Sequence, residues 1–170
     1  MKKLVLTLAI VFAGIMSANA QVWVGLNNIG AVVEKNHMSC SISPEIGYNI
    51  NQQWCVALGF GYLYEQTKSE LLGTTTQNVL ALQPYVRYTG GTIGKKFFLF
   101  ADLCGDFSLL DGPKAYAVTI QPGIAWAATE RFTAAFRFAK IGYDHNFYSA
   151  DGFLLQGALA CPRIGIYYTL

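Results

Sequence analysis

Charged side chains are scarce in this sequence: Asp, Glu, Lys and Arg together make up 13% of its 170 residues. That share is about half of what a soluble domain carries. After residue 20, ten basic residues are balanced by ten acidic ones, so no basic surface is expected and nucleic acid is not expected as a partner. Because 53% of the residues are hydrophobic, the exterior of the folded protein is predicted to be apolar.

Long apolar runs are also missing. Beyond residue 20 no hydrophobic stretch approaches the roughly 20 residues that a membrane-spanning helix needs. A chain exposed to lipid must satisfy its own backbone hydrogen bonds, which only helices and closed barrels achieve. An apolar exterior without a spanning helix therefore predicts a transmembrane β-barrel.

Motifs for metal or catalytic chemistry are absent as well. The sequence contains no CxxC pair, so neither a metal site nor a cofactor is expected. An exported protein can form disulfides, but separate predicted strands favour free, packed thiols at Cys40, Cys55, Cys104 and Cys161. His37 and His145 lie in predicted outer loops. Although Ser149 and Asp151 follow His145, nothing supplies an oxyanion hole, and no enzymatic activity or catalytic residue is expected.

The first twenty residues have the pattern of a cleavable signal peptide. Lys2 and Lys3 precede an apolar run over residues 4–16, and the small residues at 18 and 20 match a signal peptidase site. Residues 1–20 are therefore predicted to be removed, leaving one domain over residues 21–170. A short membrane anchor is the alternative for this segment.

The rest of the chain alternates with a period of two. Between Trp54 and Tyr64 every second residue is large and apolar, while those between are mostly small. Bulky side chains on one face and small ones on the other favour a narrow barrel interior. The prediction is an all-β, eight-stranded antiparallel up-and-down transmembrane β-barrel. Its strands are expected near residues 22–33, 41–50, 54–64, 80–89, 97–104, 116–126, 132–138 and 153–170.

A repeat supports this number of strands. Four of the five prolines are spaced 40, 38 and 40 residues apart, and each is followed two positions later by Ile or Val. The repeat unit is interpreted as a two-strand hairpin, so four hairpins make the barrel. Because proline interrupts β-pairing, a shared bulge or kink is expected, with coincidence as the alternative. The prolines concerned are Pro44, Pro84, Pro122 and Pro162.

Connection lengths predict the orientation of the barrel. Outer-membrane barrels have short periplasmic turns and longer outer loops, which would place both termini in the periplasm. Short connections are predicted near residues 51–53, 90–95 and 128–131, and mostly longer ones near 34–39, 65–77, 110–114 and 144–152.

Three segments carry a resemblance to a known family: "SPEIGY" at 43–48, "QPYVRY" at 83–88 and the ending "PRIGIYYTL" at 162–170. With the signal peptide, the chain resembles the small outer-membrane protein beta-barrel family of Gram-negative bacteria, a porin family with OmpX-like, OmpW-like and PorT-type members. The resemblance implies location in the outer membrane and insertion by its assembly machinery, which reads the last strand. The family usually ends in an aromatic residue, whereas this chain ends in Leu170. The expected assembly signal is Ile164, Ile166, Tyr168 and Leu170.

The small face of the strands also carries polar and charged residues. Inside so narrow a barrel they are expected to pair and fill the lumen, because unpaired buried charge is costly; a proton or ion path is the alternative. We therefore expect a structural or surface-interaction role through the outer loops, with outer-membrane lipid and surface proteins as partners. A narrow porin-like channel and a soluble lipocalin-like binding barrel are the rival functions. The predicted lumen residues are Glu45, Gln83, Tyr85, Arg87, Asp102, Asp106, Gln121, Arg137 and Arg163.

Overall fold

The computed structural model describes residues 22–33, 37–69, 73–109, 115–148, 151–157 and 163–170. The predicted signal peptide, Cys161, Pro162 and Ser149 lie outside these residues. Within them, no helix is long and apolar enough to cross a membrane. The strands are β1 (Val22–Val33), β2 (His37–Asn49), β3 (Trp54–Ser69), β4 (Gly73–Ile93), β5 (Phe97–Ser108), β6 (Tyr116–Ala127), β7 (Phe132–Arg137), β8 (Ala139–His145), β9 (Gly152–Gly157) and β10 (Arg163–Thr169).

These strands form one closed antiparallel barrel. Neighbours in sequence pair from β1 to β6, and β6 pairs with both β7 and β8. Strand β9 pairs with β8, and β10 pairs with β7 on one side and with β1 on the other, which closes the sheet. The segments β7 and β8 together form the seventh strand of the barrel, and β9 and β10 together form the eighth, so the barrel has eight strands. The predicted all-β, eight-stranded antiparallel barrel is confirmed.

The two ends of the barrel differ. Residues 50–53, 94–96 and 128–131 form tight connections at one end, which we call the turn end. The first and last residues that the structure describes lie there too, because the Leu170 N–H donates to the Val22 carbonyl at 2.9 Å. The predicted long loop over residues 65–77 is wrong. Strands β3 and β4 pair out to Ser69 and Gly73, and the β-branched threonines at 74–76 suit an extended hairpin.

The bulky face points outward, as expected for a barrel in lipid. Trp54 and Phe60 are 43% and 45% exposed, whereas Cys55 and Ala57 are only 6% and 9% exposed. A soluble lipocalin-like barrel needs the reverse arrangement, with bulky residues inside and charges outside. The observed arrangement of the two faces is therefore the opposite of the one that a lipocalin-like barrel needs.

The prolines interrupt the β-ladder. The pairing of β2 with β3 omits Pro44, that of β4 with β5 omits Pro84, and that of β6 with β7 and β8 omits Pro122. Proline has no backbone N–H to donate, so each hairpin unit loses hydrogen bonds to the following strand at the same place. Pairing is thus interrupted at these three positions, but the register to the following strand is unchanged across Pro44 and Pro84, so the structure shows no bulge shared by all three. Pro162 lies outside the described residues.

At Pro122 the interruption becomes a bulge. Gly123 pairs with Arg137, but Ile120 pairs with Ile141, so the seventh strand has one extra residue between these pairs. Phe138 lies in the bulge, and its N–H donates to the Pro122 carbonyl at 3.1 Å. A one-residue insertion reverses which side chains face inward. The seventh strand therefore continues past the predicted end at residue 138. Beyond that residue the inward-facing and outward-facing positions are exchanged.

Large inward side chains lie against glycines of the adjacent strands. A Cβ added at Gly47 would overlap the indole of Trp23, and one at Gly123 would overlap the ring of Phe100. Glycine at these two positions lets aromatic rings lie flat inside a narrow barrel. The lumen thus holds aromatic rings as well as polar groups.

Candidate functional site in the barrel lumen

The centre of the lumen is an ion cluster around Asp102, whose side chain is completely buried. Arg87 lies directly opposite it on β4 and donates from Nε to Oδ1 at 2.7 Å and from Nη2 to Oδ2 at 2.9 Å. Arg137 on β7 donates from Nε to Oδ2 at 2.8 Å, and its Nη2 lies 2.7 Å from the same oxygen. One carboxylate therefore bridges two guanidiniums from different strands.

A second carboxylate balances this charge. Glu45 on β2 is 5% exposed, and neither of its oxygens has a hydrogen bond of good geometry. It lies near the guanidiniums of Arg137 and Arg87 and the hydroxyls of Tyr85 and Tyr167. Two acids and two guanidiniums form a neutral set, which lowers the cost of burying the four charges.

Aromatic rings surround both guanidiniums. The Arg87 guanidinium carbon lies 4.1 Å from the centre of the Phe100 ring and 5.2 Å from that of Tyr167. Arg137 lies 5.4 Å from the Tyr85 ring and donates to the Tyr167 hydroxyl at 3.2 Å. Cation–π contacts of this kind stabilise a desolvated cation and restrict its orientation.

Arg137 has one further partner, Asn27, whose Oδ1 accepts from Nη1. Nearer the opposite end of the barrel, Gln83 donates to Asp106 Oδ1 at 2.7 Å. Gln121 donates to the Thr119 hydroxyl at 3.0 Å, and both side chains are 1% exposed. Gln121 lies directly opposite Asp102 on the neighbouring strand, so these pairs fill the lumen beside the central cluster and toward the end of the barrel opposite the turn end.

Tyr148 covers this polar column beyond the end of β8. Arg163 donates to its hydroxyl at 3.0 Å, and the Lys140 ammonium lies 3.4 Å from the centre of its ring. Asp144 holds the segment by accepting hydrogen bonds from the N–H groups of Phe147 and Tyr148. The loss of surrounding water raises the pKa of Tyr148 well above its usual range, so the hydroxyl stays protonated.

All nine predicted lumen residues lie on the inner face. The structure gathers five of them into the central cluster, places two in the Gln83–Asp106 pair, and positions Gln121 and Arg163 apart from these. The central five are Glu45, Tyr85, Arg87, Asp102 and Arg137.

Sequence reasoning missed several other lumen residues. Asn27 and Tyr167 continue the inward alternation of their strands and could have been found from it. Lys140 and Asp144, which are 3% and 0% exposed, could not, because the bulge at Phe138 reverses the parity. Extending the alternation of β7 would have placed both in lipid or in a loop.

The residues of the expected assembly signal lie on the outer face of the barrel. Ile164, Ile166, Tyr168 and Leu170 are 61%, 44%, 43% and 72% exposed, all on one face of the last strand. Cys40 is an exposed free thiol, while Cys55 and Cys104 are buried free thiols.

His145, at the end of β8, contacts an aspartate and a tyrosine. His145 Nδ1 lies 2.5 Å from Asp151 Oδ1, and the imidazole packs against Tyr116 with ring centres 5.0 Å apart. This pair links the end of β8 to the start of β9. Among the residues that the structure describes, no group of three or more His, Cys, Asp or Glu could hold a metal ion.

Comparison with known proteins gives a likeness to solved structures alone. No protein-family model matches the chain, and none of the curated proteins matches it. Among solved structures it is similar to the solution NMR structure of the E. coli outer membrane protein W, with a TM-score of 0.49 and 8% sequence identity. The match covers 89% of this chain and 98% of that chain. At this level of identity and superposition, the likeness assigns neither a family nor a function.

Proposed function

We propose that the protein is an integral outer-membrane β-barrel with a lumen closed by side chains, and that it acts as a scaffold presenting its loops to surface partners. The observation that carries this proposal is the distribution of charge. Buried charged residues line the interior, while bulky apolar and aromatic residues cover the outside of the strands. A soluble protein has the opposite arrangement, with charged residues outside and apolar residues inside. The arrangement found here suits a barrel surrounded by lipid.

The described exterior charges support a membrane band. Among residues whose exposure the structure describes, exposed charged side chains lie in turns and loops, at Lys95, Lys96, Glu130, Arg131 and Asp151. Trp54 and Trp126 lie at the turn-end margin of the apolar surface, each more than two-fifths exposed. Tryptophan and tyrosine at such a margin are typical of the membrane interface.

The filled centre argues for a scaffold rather than a pore. Asp102, Gln121 and Arg137 are at most 2% exposed, which supports a lumen without a continuous water path through its middle. An eight-stranded barrel is narrow enough for side chains to fill it in this way.

Assembly is proposed to use the last strand. Its outward residues alternate as an insertion signal requires, with the outer-membrane assembly machinery as the partner during biogenesis. The residues are Ile164, Ile166, Tyr168 and Leu170.

Membrane insertion is tested by expressing the chain and isolating the outer-membrane fraction. We expect the protein in that fraction, and a shift in gel mobility between boiled and unboiled samples because a closed barrel stays folded in detergent. Recovery of folded protein in the absence of detergent or lipid would contradict the membrane assignment.

The closed lumen is tested in planar bilayers. The wild type should show no stepwise current, whereas Arg87→Ser combined with Arg137→Ser should conduct because it empties the centre. Lys95→Ser combined with Lys96→Ser removes the same charge at the turn end and should stay silent. Stepwise currents from the wild type would favour the channel function instead.

A further inference from the structure

The turn end of the barrel contains a cavity of about 760 Å³. It opens to solvent at this end, and the connection at residues 50–53 and residues 89–92 at the end of β4 form part of its rim. That rim is fixed, because the Asn51 side chain accepts hydrogen bonds from the N–H groups of Gln53 and Trp54, both at 2.8 Å. The size lies within the range of small-molecule pockets.

The cavity ends blindly in the lumen. Its inner wall includes Arg87, and Arg87 is bound to the completely buried Asp102. Arg137, 2% exposed, lies on the other side of that carboxylate. A molecule entering from the turn end therefore meets the ion cluster and goes no further.

Aromatic rings form one part of the walls, beside polar side chains. Trp23, Phe98, Phe100 and Tyr167 line the cavity, and the rings of Trp23 and Tyr167 pack edge to face with centres 4.8 Å apart. Rings fixed in this way offer faces and edges to another aromatic or alicyclic body at little entropic cost.

The charge that lines the cavity is positive. Arg87 is the only charged residue that contributes to this cavity among the described residues. Its hydrogen bonds come from Nε and Nη2, and a guanidinium carries two further N–H donors on Nη1. Asp102 is fully buried behind it, so an incoming group meets the cation and not the carboxylate.

We propose that this cavity binds a small, water-borne organic anion, an aromatic carboxylate or sulfonate, with its ring between Trp23, Phe98 and Tyr167 and its acid group on Arg87. A charged hydrogen bond to a guanidinium in a partly desolvated site favours an anion over a neutral molecule of the same shape. The opening lies inside the ring of turns and not through the side of the barrel, which makes a soluble ligand the occupant.

Binding is tested with purified protein in nanodiscs of zwitterionic lipid, by fluorine NMR titration of para-trifluoromethylbenzoate. The neutral match is para-trifluoromethylbenzyl alcohol. We expect saturable binding of the benzoate and an affinity at least about tenfold above that of the alcohol. Equal affinity of the two compounds, or no saturable binding of the benzoate, would overturn the proposal.

Two variants of one wall residue localise the site without touching the ion cluster. Thr133 lines the cavity and is half-buried. Thr133→Asp should weaken benzoate binding by about tenfold through like-charge repulsion, while Thr133→Asn, of the same shape, should stay within about twofold. Identical affinities for these two variants would place the ligand elsewhere and overturn the assignment.

Arg87→Met gives the direct test of the anion contact. We expect the preference for benzoate over the alcohol to disappear in protein that keeps the heat-dependent gel shift. A retained preference would overturn the role of Arg87. If this variant does not fold, the Thr133 pair decides the question alone.

Discussion

Asp102→Asn tests the central ion cluster most directly. Asparagine keeps the size and shape of the side chain but removes its charge. In the native protein the carboxylate accepts hydrogen bonds of 2.7–2.9 Å from Arg87 and Arg137, and it is 0% exposed. Without its charge, two guanidiniums remain buried with only Glu45 as a counter-charge.

The expected cost follows from that geometry. Removing one partner of a buried ion pair destabilises a protein by about 3–5 kcal/mol, because the remaining charge stays desolvated. Two cations lose a partner at once here, so we expect a loss of free energy of unfolding within that range. The measurement is equilibrium unfolding in urea of protein refolded into phospholipid vesicles.

A matched control separates the cluster from a general effect of losing an acid. Asp151→Asn removes the same charge from a side chain that is 52% exposed and paired with His145. An exposed pair contributes at most about 1 kcal/mol, so this variant should unfold close to the wild type. If Asp102→Asn costs less than about 1 kcal/mol, or no more than Asp151→Asn, the reasoning about the cluster is refuted.

A double variant gives a further check. Adding Arg137→Met to Asp102→Asn removes one of the two unpaired guanidiniums and supplies an apolar side chain of similar length. We expect the double variant to regain at least about 1 kcal/mol relative to Asp102→Asn, which would measure coupling between the two sites. A strictly additive or larger loss would contradict charge imbalance as the cause.

Three other predictions concern separate parts of the barrel. Arg163→Ala should lower the free energy of unfolding by about 1–2 kcal/mol through lost hydrogen bonding, and should not produce conductance in planar bilayers. Gly47→Ala should cost about 1–3 kcal/mol, because its Cβ would overlap the indole of Trp23; a shift in Trp23 fluorescence should accompany it. In folded protein, alkylation followed by intact-mass analysis should modify the exposed Cys40 well before the buried Cys104.

Each of these has an outcome that counts against it. New current steps in Arg163→Ala would mean that this arginine blocks a path. Gly157→Ala is the control for the glycine variant, since a Cβ there has no neighbour within 4 Å among the residues that the structure describes; equal losses at the two glycines would exclude crowding as the cause. Simultaneous labelling of the exposed and buried thiols would mean that the barrel opens readily.

Much of the fold could be predicted from residue spacing. The alternation from Trp54 to Tyr64 assigns an outer and an inner face with no tertiary information, because side chains on a strand alternate strictly. The proline spacing also predicted where pairing would be interrupted, since the missing N–H is a property of the residue. The ends of the long hairpin at residues 65–77 were missed because polar, threonine-rich segments can form either strand or loop.

The candidate site was less predictable. Parity alone placed Arg87, Asp102 and Arg137 inside, but which of them meet depends on strand register and on closure between β1 and β10. The cavity at the turn end was not foreseen, because its lining comes from eight different strands and from the connection at residues 50–53.

The sequence by itself determined the apolar exterior, the period-two strands and the proline-marked hairpins, because these depend on residue type and local spacing. Only the tertiary structure decided the partners of the buried charges. The bulge at Phe138 inserts one residue opposite Pro122, and from there Lys140 and Asp144 face inward. One extra residue in a ladder leaves composition and periodicity almost unchanged, yet it reverses the face of every side chain that follows.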